Sequence, residues 1–271
     1  MAQGGDPLPA GPGTAAGADP GPLGRDELLA LFAQLSSVGS VELKMTVPGE
    51  QRMALRELRI DPLRGRIREV VFFDTSELAC FHHGVVLRAR RTQGAPEDTV
   101  VKLRPAVPDE LPPAVRDSPN LKVEMDVTRG SYVVSASLKG VRKAGSLHAV
   151  LDGARPLDKL FTKEQRALFA SHAPAGVSWG DLVPLGPVFV VLAKAVPQGA
   201  SRRLTIEQWH YPGEVPLVEL STKAAPLDTV RVYEEVAGHL RGLGIEPAGE
   251  QEPKTRRALE FFARHVPGRT G

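Results

Sequence analysis

The sequence predicts a β-dominated α+β domain, an eight-stranded antiparallel β-barrel closed into a tunnel with a polar interior and helices packed outside. Residues 40–221 hold about eight strand-like segments in sequential order with hairpin-like connections, and eight strands can close on themselves without leaving exposed edges. Several of these segments alternate charged and apolar residues. Amphipathic helices in the middle and at both ends need an apolar surface, so we expect the charged faces to point inward.

Composition divides the chain into a tail and one domain. Glycine and proline make up half of residues 1–24, and such a segment buries too little surface to offset its ordering entropy. We therefore expect 1–24 to be disordered and 25–271 to form a single domain with flanking helices. Helical spacing of apolar residues predicts the first such helix at 25–35, and a second, basic helix is expected at 50–58.

The overall charge is nearly balanced, with 34 basic and 32 acidic residues and a net charge of +2. A bulk electrostatic nucleic-acid binder would be far more basic, so no sequence-specific nucleic-acid partner is expected. The lone Cys80 permits no intramolecular disulfide and is interpreted as a buried packing residue. No long apolar run is present, so we expect a cytoplasmic protein without a membrane partner. The sequence does not fix the oligomeric state.

The first strand, at 40–47, sets the pattern for those that follow. Strand side chains alternate between faces, so Ser40, Glu42, Lys44 and Thr46 share one face and apolar residues fill the other. The segment 67–73 is dense enough in apolar residues to be buried on both sides, and residues 74–76 are expected to cap a turn of helix over 77–82.

A hairpin follows, with strands at 85–91 and 99–104. Arg88 and Arg90 share one face of its first strand, and Lys102 and Arg104 share one face of its second. The strand at 121–127 again alternates charged and apolar residues.

Residues 131–187 are interpreted as mostly helix and loop, with a capping box at Thr162 and Gln165 that opens a helix. Three further strands are predicted at 188–195, 203–209 and 216–221, and two helices close the chain.

One face of the predicted strands collects an ordered mixture of charges. Arginines two residues apart on adjacent strands weaken a sheet unless an anion or an acid lies between them. A tunnel lined by arginine and lysine suits a polyanion, and carboxylates in the same place suit Mg²⁺ or Mn²⁺. The simpler alternative, a solvated outer face of an ordinary barrel, remains open. The cations are Lys44, Arg88, Arg90, Lys102, Arg104, Lys122, Arg203 and Lys223, and the acids are Glu42, Glu124, Asp126, Glu207 and Glu219.

The motifs resemble those of the CYTH domains of the triphosphate tunnel metalloenzyme superfamily. The family begins with Glu-x-Glu-x-Lys, to which Ser40-Val-Glu42-Leu-Lys44 is similar. Residues 71–90 resemble its next two strands, with an aromatic-Asp-Thr start and a Leu-Arg-x-Arg end. Residues 99–102 and 123–124 are similar to the two strands after those. Known members include inorganic and thiamine triphosphatases and class IV adenylate cyclases.

The resemblance implies an antiparallel tunnel that hydrolyses a triphosphate-containing compound with Mg²⁺ or Mn²⁺. It implies catalytic roles for Lys44, Arg88 and Arg90 and a metal site made by Glu42, Glu124 and Glu219. The phosphate-binding residues that it implies are Lys44, Arg88, Arg90, Lys102, Arg104, Arg203 and Lys223.

Two serines depart from the family pattern. Ser40 stands where the first motif has a glutamate, and Ser221 stands where a terminal Glu-x-Glu would have its second. Fewer carboxylates should weaken metal binding, although Mg²⁺ needs only one or two of them. The alternatives are therefore a catalytically weakened protein that binds polyphosphate or a nucleotide, a polyphosphate polymerase-like activity, and an adenylate cyclase activity.

Overall fold

The structure is a computed structural model that describes residues 41–47, 56, 58, 65–128, 131–246 and 254–266, without the side chains of 126–128 and 131–132. The predicted tail at 1–24 and the predicted helix at 25–35 lie outside the described residues. The same is true of the predicted helix at 50–58, apart from Arg56 and Leu58.

In the described part of the chain, nine strands close into one barrel in the order β1-β5-β6-β4-β3-β2-β7-β8-β9, with β9 pairing back onto β1. Neighbouring strands are antiparallel in every pair except β1 with β5, which is parallel. The strands are β1 (Val41–Val47), β2 (Arg66–Asp74), β3 (Val85–Thr92), β4 (Glu97–Leu103), β5 (Leu121–Thr128), β6 (Ser131–Arg142), β7 (Val183–Ala195), β8 (Leu204–His210) and β9 (Leu217–Ala224).

The closed barrel with helices outside is confirmed, but the prediction of eight antiparallel strands in sequential order is wrong. Going once around a closed ring, strand directions can alternate throughout only if the number of strands is even. Nine strands therefore require a parallel pair, and that pair is β1 with β5. The order is not sequential either, because β1 lies between β5 and β9.

The strand missing from the sequence prediction is β6, which falls at the start of the segment interpreted as helix and loop. Its middle is built of small residues, Ser135, Ala136 and Ser137, which have little β propensity. Gly140, nearer the end of the strand, has to be small because a Cβ there would lie 2.7 Å from the Gln165 Oε1. Gln165 donates to the carbonyls of Thr99 and Leu138, which fixes a helix against β4 and β6.

Six α-helices lie in the described part of the chain, and the predicted capping box of Thr162 and Gln165 is confirmed in the fourth. None of them has the length and apolar character needed to span a membrane. The helices are α1 (Ala79–His82), α2 (Pro113–Arg116), α3 (Ser146–Leu151), α4 (Lys163–His172), α5 (Thr229–Gly242) and α6 (Lys254–Ala263), and short 3₁₀ helices occur at Pro108–Glu110, Leu157–Leu160, Trp179–Asp181 and Pro226–Asp228.

The apolar faces of the strands point outward, beneath the helices. Val41 and Leu43 of β1 are buried with Val232 and Val236 of α5 in one cluster. The alternate residues of β1, Glu42, Lys44 and Thr46, point the other way and line the interior. This arrangement leaves the inside of the barrel to the charged side chains, as the sequence predicts.

Candidate functional site

The barrel encloses a cavity of about 670 Å³ whose wall is strongly basic. Among the described residues, nine cationic side chains and four carboxylates line it. The cations are Lys44, Arg68, Arg88, Arg90, Lys102, Arg104, Lys122, Lys139 and Lys254, and the acids are Glu42, Glu124, Glu207 and Glu219. The net charge of the whole chain is only +2, so positive charge is concentrated in this cavity.

The alternation along β3 directs Arg88 and Arg90 into the cavity. Arg90 lies opposite Asp98 in the β3–β4 ladder and forms an ion pair with it at 2.7 Å. Asp98 also lies 3.8 Å from the ammonium of Lys139 on β6. The Asp98 carboxylate therefore forms ion pairs with two of the cavity's cations.

Arg88 has no such partner among the described residues. Its Nε is buried and donates no hydrogen bond, which is rare for a buried polar group. Burial lowers the pKa of its guanidinium to about 9, and the neighbouring Arg90 and Arg68 work in the same direction. Asp98 and Glu207 oppose this effect only in part, so an anion bound at Arg88 would stabilise its charge further.

Gly84 places Arg104 at the cavity wall. Its φ of +79° is in the left-handed region, and a Cβ there would lie 2.7 Å from the Arg104 carbonyl oxygen. The backbone N–H of Arg104 donates to the Gly84 carbonyl at 2.8 Å. Only a glycine lets these two backbone segments approach so closely.

Glu207 of β8 and Glu219 of β9, which we call the acid pair, are directly opposite each other in the sheet. Like charges in this position destabilise a sheet. Lys254 of α6 lies between them: its Nζ contacts Glu219 Oε1 at 2.6 Å and also contacts Glu207 Oε2. Arg68 of β2 completes the cluster with an ion pair of 3.0 Å to Glu207.

The electrostatics of the acid pair follow from these contacts. Burial alone would raise the pKa of the Glu207 carboxyl, but Lys254 and Arg68 stabilise its ionised form and bring the pKa down to about 2. Burial disfavours the charged form of Lys254, yet the two carboxylates together raise the pKa of its ammonium above the ordinary value. Glu207 and Lys254 are therefore both charged at neutral pH.

Another carboxylate is paired with lysines on β5, which flanks the other edge of β1. Glu124 of β5 accepts a hydrogen bond from Lys223 of β9 at 2.7 Å and contacts the ammonium of Lys122. Burial opposes the ionisation of Glu124, but the hydrogen bonds from the two lysines outweigh it and lower the pKa of the carboxyl.

The structure brings eight of the ten sequence-predicted site residues to the cavity wall, namely Glu42, Lys44, Arg88, Arg90, Lys102, Arg104, Glu124 and Glu219. Lys223 reaches the site only through Glu124 and is half exposed. Arg203 was expected on the inner face of its strand, but β8 begins at Leu204, so Arg203 is exposed and does not line the cavity.

Three charged lining residues belong neither to the predicted site residues nor to the charges that the sequence collects on one face of the strands. Arg68 shares a strand face with Val70, which also lines the cavity, so the period of two along β2 was the available signal. Lys139 lies on β6, the strand that the sequence did not predict. Lys254 begins α6, and nothing in its local sequence pattern separates it from a solvated helix residue.

The carboxylates predicted to bind metal do not fit a divalent cation in this arrangement. Each already has an ammonium partner: Lys44 lies 3.2 Å from Glu42, while Glu124 and Glu219 hold the lysines described above. The described residues contain no group of three or more histidine, cysteine or acidic side chains placed to hold a metal ion.

No protein-family model matches the sequence, and no curated protein matches it. Solved structures do match. A putative adenylyl cyclase from Hippeastrum, described as having a dominant triphosphatase activity, aligns with a TM-score of 0.55 at 17% identity over 79% of this chain and 92% of its own. A putative adenylate cyclase from Bacillus halodurans aligns with a TM-score of 0.55 at 14% identity over 80% and 96%. This chain therefore has the closed β-barrel fold of these proteins, and its resemblance to CYTH domains is confirmed at the level of the fold.

Proposed function

We propose that the cavity binds a triphosphate-containing compound, such as inorganic tripolyphosphate or a nucleoside or thiamine triphosphate, and hydrolyses it. The observation that carries this proposal is Arg88, which lines the cavity beside Arg90 and Arg68 and has a buried Nε without a hydrogen-bond partner. An anion with several charged oxygens would satisfy this donor and offset the repulsion between Arg88, Arg90 and Arg68.

Each group of residues has a distinct part in the proposal. Arg88 and Arg90 hold phosphate oxygens, because a guanidinium presents paired donors that match them. Lys44 adds a compact charge from β1. Cations held in place before the reaction also stabilise the charge that develops on a phosphoryl group during transfer.

The comparisons support the same class of ligand. The Hippeastrum protein is described with a dominant triphosphatase activity, and both solved structures have the same fold as this chain. The Mg²⁺ or Mn²⁺ requirement implied by the CYTH resemblance remains a prediction. The pairing of the cavity's acids with lysines argues against it.

A second candidate function is binding without catalysis. The ammonium partners of Glu42, Glu124 and Glu219 favour it, because carboxylates that are already neutralised are poor metal ligands. The polymerase-like and cyclase activities are outcomes of the same assays and have no separate support in the geometry.

The test measures binding and turnover separately on the full chain. Isothermal titration with tripolyphosphate, pyrophosphate and orthophosphate should show affinity increasing with the number of phosphates. Phosphate release from tripolyphosphate, ATP and thiamine triphosphate, each with Mg²⁺, Mn²⁺ or EDTA, then reports hydrolysis. Binding without release under any condition supports the second candidate, and cyclic AMP or chain elongation would identify the remaining two. No binding of tripolyphosphate would overturn the proposal.

A further inference from the structure

We propose that the Lys254 ammonium takes the position of a divalent cation between the two carboxylates of the acid pair, so that the cavity needs no metal ion there to hold its ligand. The identity of that ligand rests on the proposed function, whereas the place of Lys254 does not. The proposal concerns which cation neutralises Glu207 and Glu219.

The geometry of the acid pair is that of a cation site. Glu207 and Glu219 are direct partners across adjacent strands, and both aim at a single point. A divalent cation with two carboxylates and several waters or phosphate oxygens would be an ordinary magnesium site. The point on which the two carboxylates converge is held by the Nζ of Lys254, which contacts both of them.

Lys254 is a fixed cation, because the helix that carries it is anchored in the core. Leu259 and Phe261 of α6 are buried in one cluster with Trp209 of β8. The Tyr211 hydroxyl donates to the Lys254 carbonyl at 3.3 Å, and the ammonium lies 5.4 Å from the centre of the Trp209 ring. A metal ion would have to displace a largely buried ammonium with two carboxylate partners, and breaking such a buried pair is strongly unfavourable.

The sequence around the acid pair agrees with this arrangement. Ser221 follows Glu219 by two residues on the same face of β9, where the CYTH pattern has a second glutamate. With a hydroxyl at this position, this face of β9 carries one carboxylate rather than two. Lys254 and Arg68 together place two positive charges against the two carboxylates of the acid pair.

The test is a Mn²⁺ titration of the full chain with no phosphate compound present. Electron paramagnetic resonance measures the free Mn²⁺ at each step. Lys254→Met removes the ammonium and keeps most of the side-chain volume, so it should open the acid pair and bind one Mn²⁺ at least about tenfold more tightly than the wild type. Lys139→Met is the matched control, because it removes one cavity charge away from the acid pair and should leave Mn²⁺ binding at the wild-type level. In Lys254→Met with Glu219→Gln, the gain should disappear.

Two results would overturn the proposal: wild-type binding of Mn²⁺ as tight as that of Lys254→Met, or a gain that survives Glu219→Gln. If Lys254→Met does not fold, as judged by circular dichroism, Glu207→Gln and Glu219→Gln in the wild-type background decide instead. Neither should change Mn²⁺ binding, and a loss in either would show that metal binds the acid pair with the lysine in place. Tripolyphosphate titrations test the proposed function independently, so failure of one proposal is distinguishable from failure of the other.

Discussion

Arg88 and Arg90 lie two residues apart on one face of β3, yet Arg90 has Asp98 at 2.7 Å while the Nε of Arg88 is buried without a hydrogen-bond partner. The same strand therefore carries one guanidinium held by the protein and one left for a ligand. This difference makes the two residues separable by experiment.

Replacing Arg88 with methionine should weaken tripolyphosphate binding by about 10- to 100-fold, because hydrogen bonds to charged groups contribute about 1.5–3 kcal/mol. Arg203→Met is the matched control, since Arg203 is exposed and outside the cavity wall, and it should bind normally. Isothermal titration measures both. Equal losses in the two variants would contradict this assignment of the phosphate site.

The low pKa of Glu207 predicts how stability depends on pH. Its folded-state pKa is about 2 against an ordinary value of 4.5, so its contribution is present above pH 4.5 and is lost as the pH falls toward 2. At 1.4 kcal/mol per unit, the loss is about 3 kcal/mol. In urea unfolding at several pH values, the free energy of unfolding should fall less between pH 4.5 and pH 2 for Glu207→Gln than for the wild type. An equal fall in the two proteins would contradict this prediction.

Lys254→Met should lower the free energy of unfolding by about 3–5 kcal/mol, because it leaves two buried carboxylates without their shared cation. Adding Glu219→Gln should restore part of the loss, since one of those charges is then gone. Lys139→Met, whose side chain is half exposed, should cost at most about 1 kcal/mol. Urea unfolding at neutral pH measures all of these. Strictly additive effects of Lys254→Met and Glu219→Gln would show that the two residues do not interact.

Gly84→Ala should destabilise the protein by about 1–3 kcal/mol for its positive φ, and further for the contact of the new Cβ with the Arg104 carbonyl. It should also weaken tripolyphosphate binding, because Arg104 has to move. Gly94→Ala is matched to it: φ is +68° there, but nothing lies within 4 Å of the added Cβ. Thermal melts and titrations of both variants separate backbone strain from the contact, and identical results for the two would contradict the role given to Gly84.

Cys80 should be unreactive in the folded protein. Its side chain is fully buried, and burial together with the nearby Asp74 raises the pKa of its thiol to about 12. Ellman's reagent at pH 8 should therefore react only as the protein unfolds, and tripolyphosphate should slow the reaction by stabilising the folded state. Asp74 accepts the backbone N–H groups of Cys80 and Phe81, so Asp74→Asn should speed it. Fast labelling of the native wild type would contradict the buried position.

The inward charged face of the barrel could be predicted because the alternation along single strands is enough to define it. Glu42 and Lys44 on β1 illustrate this, and so do Arg88 and Arg90 on β3. Arg203 has the right parity for the inner face, but it falls outside because the strand begins one residue later.

What could not be predicted depends on contacts between distant segments. Gly140 of β6 leaves room for Gln165, which lies on a helix that follows the strand. The lysine that neutralises the acid pair comes 47 residues after Glu207 and 35 after Glu219. Local periodicity contains no information about either relationship.

The parallel pairing of β1 also has a consequence for how the protein is made. β1 has no hairpin neighbour: its partners are β5 and β9, and in the β9 ladder Val41 meets Ala224. During synthesis, the ring cannot close until β9, the last described strand, has been made and can pair with β1. The cavity is therefore completed late, and folding depends on contacts between distant parts of the chain. Until then, the edges that β1 and β9 present to each other are unpaired. A polyanion that binds the cations of the inner wall would stabilise the closed ring over the open one.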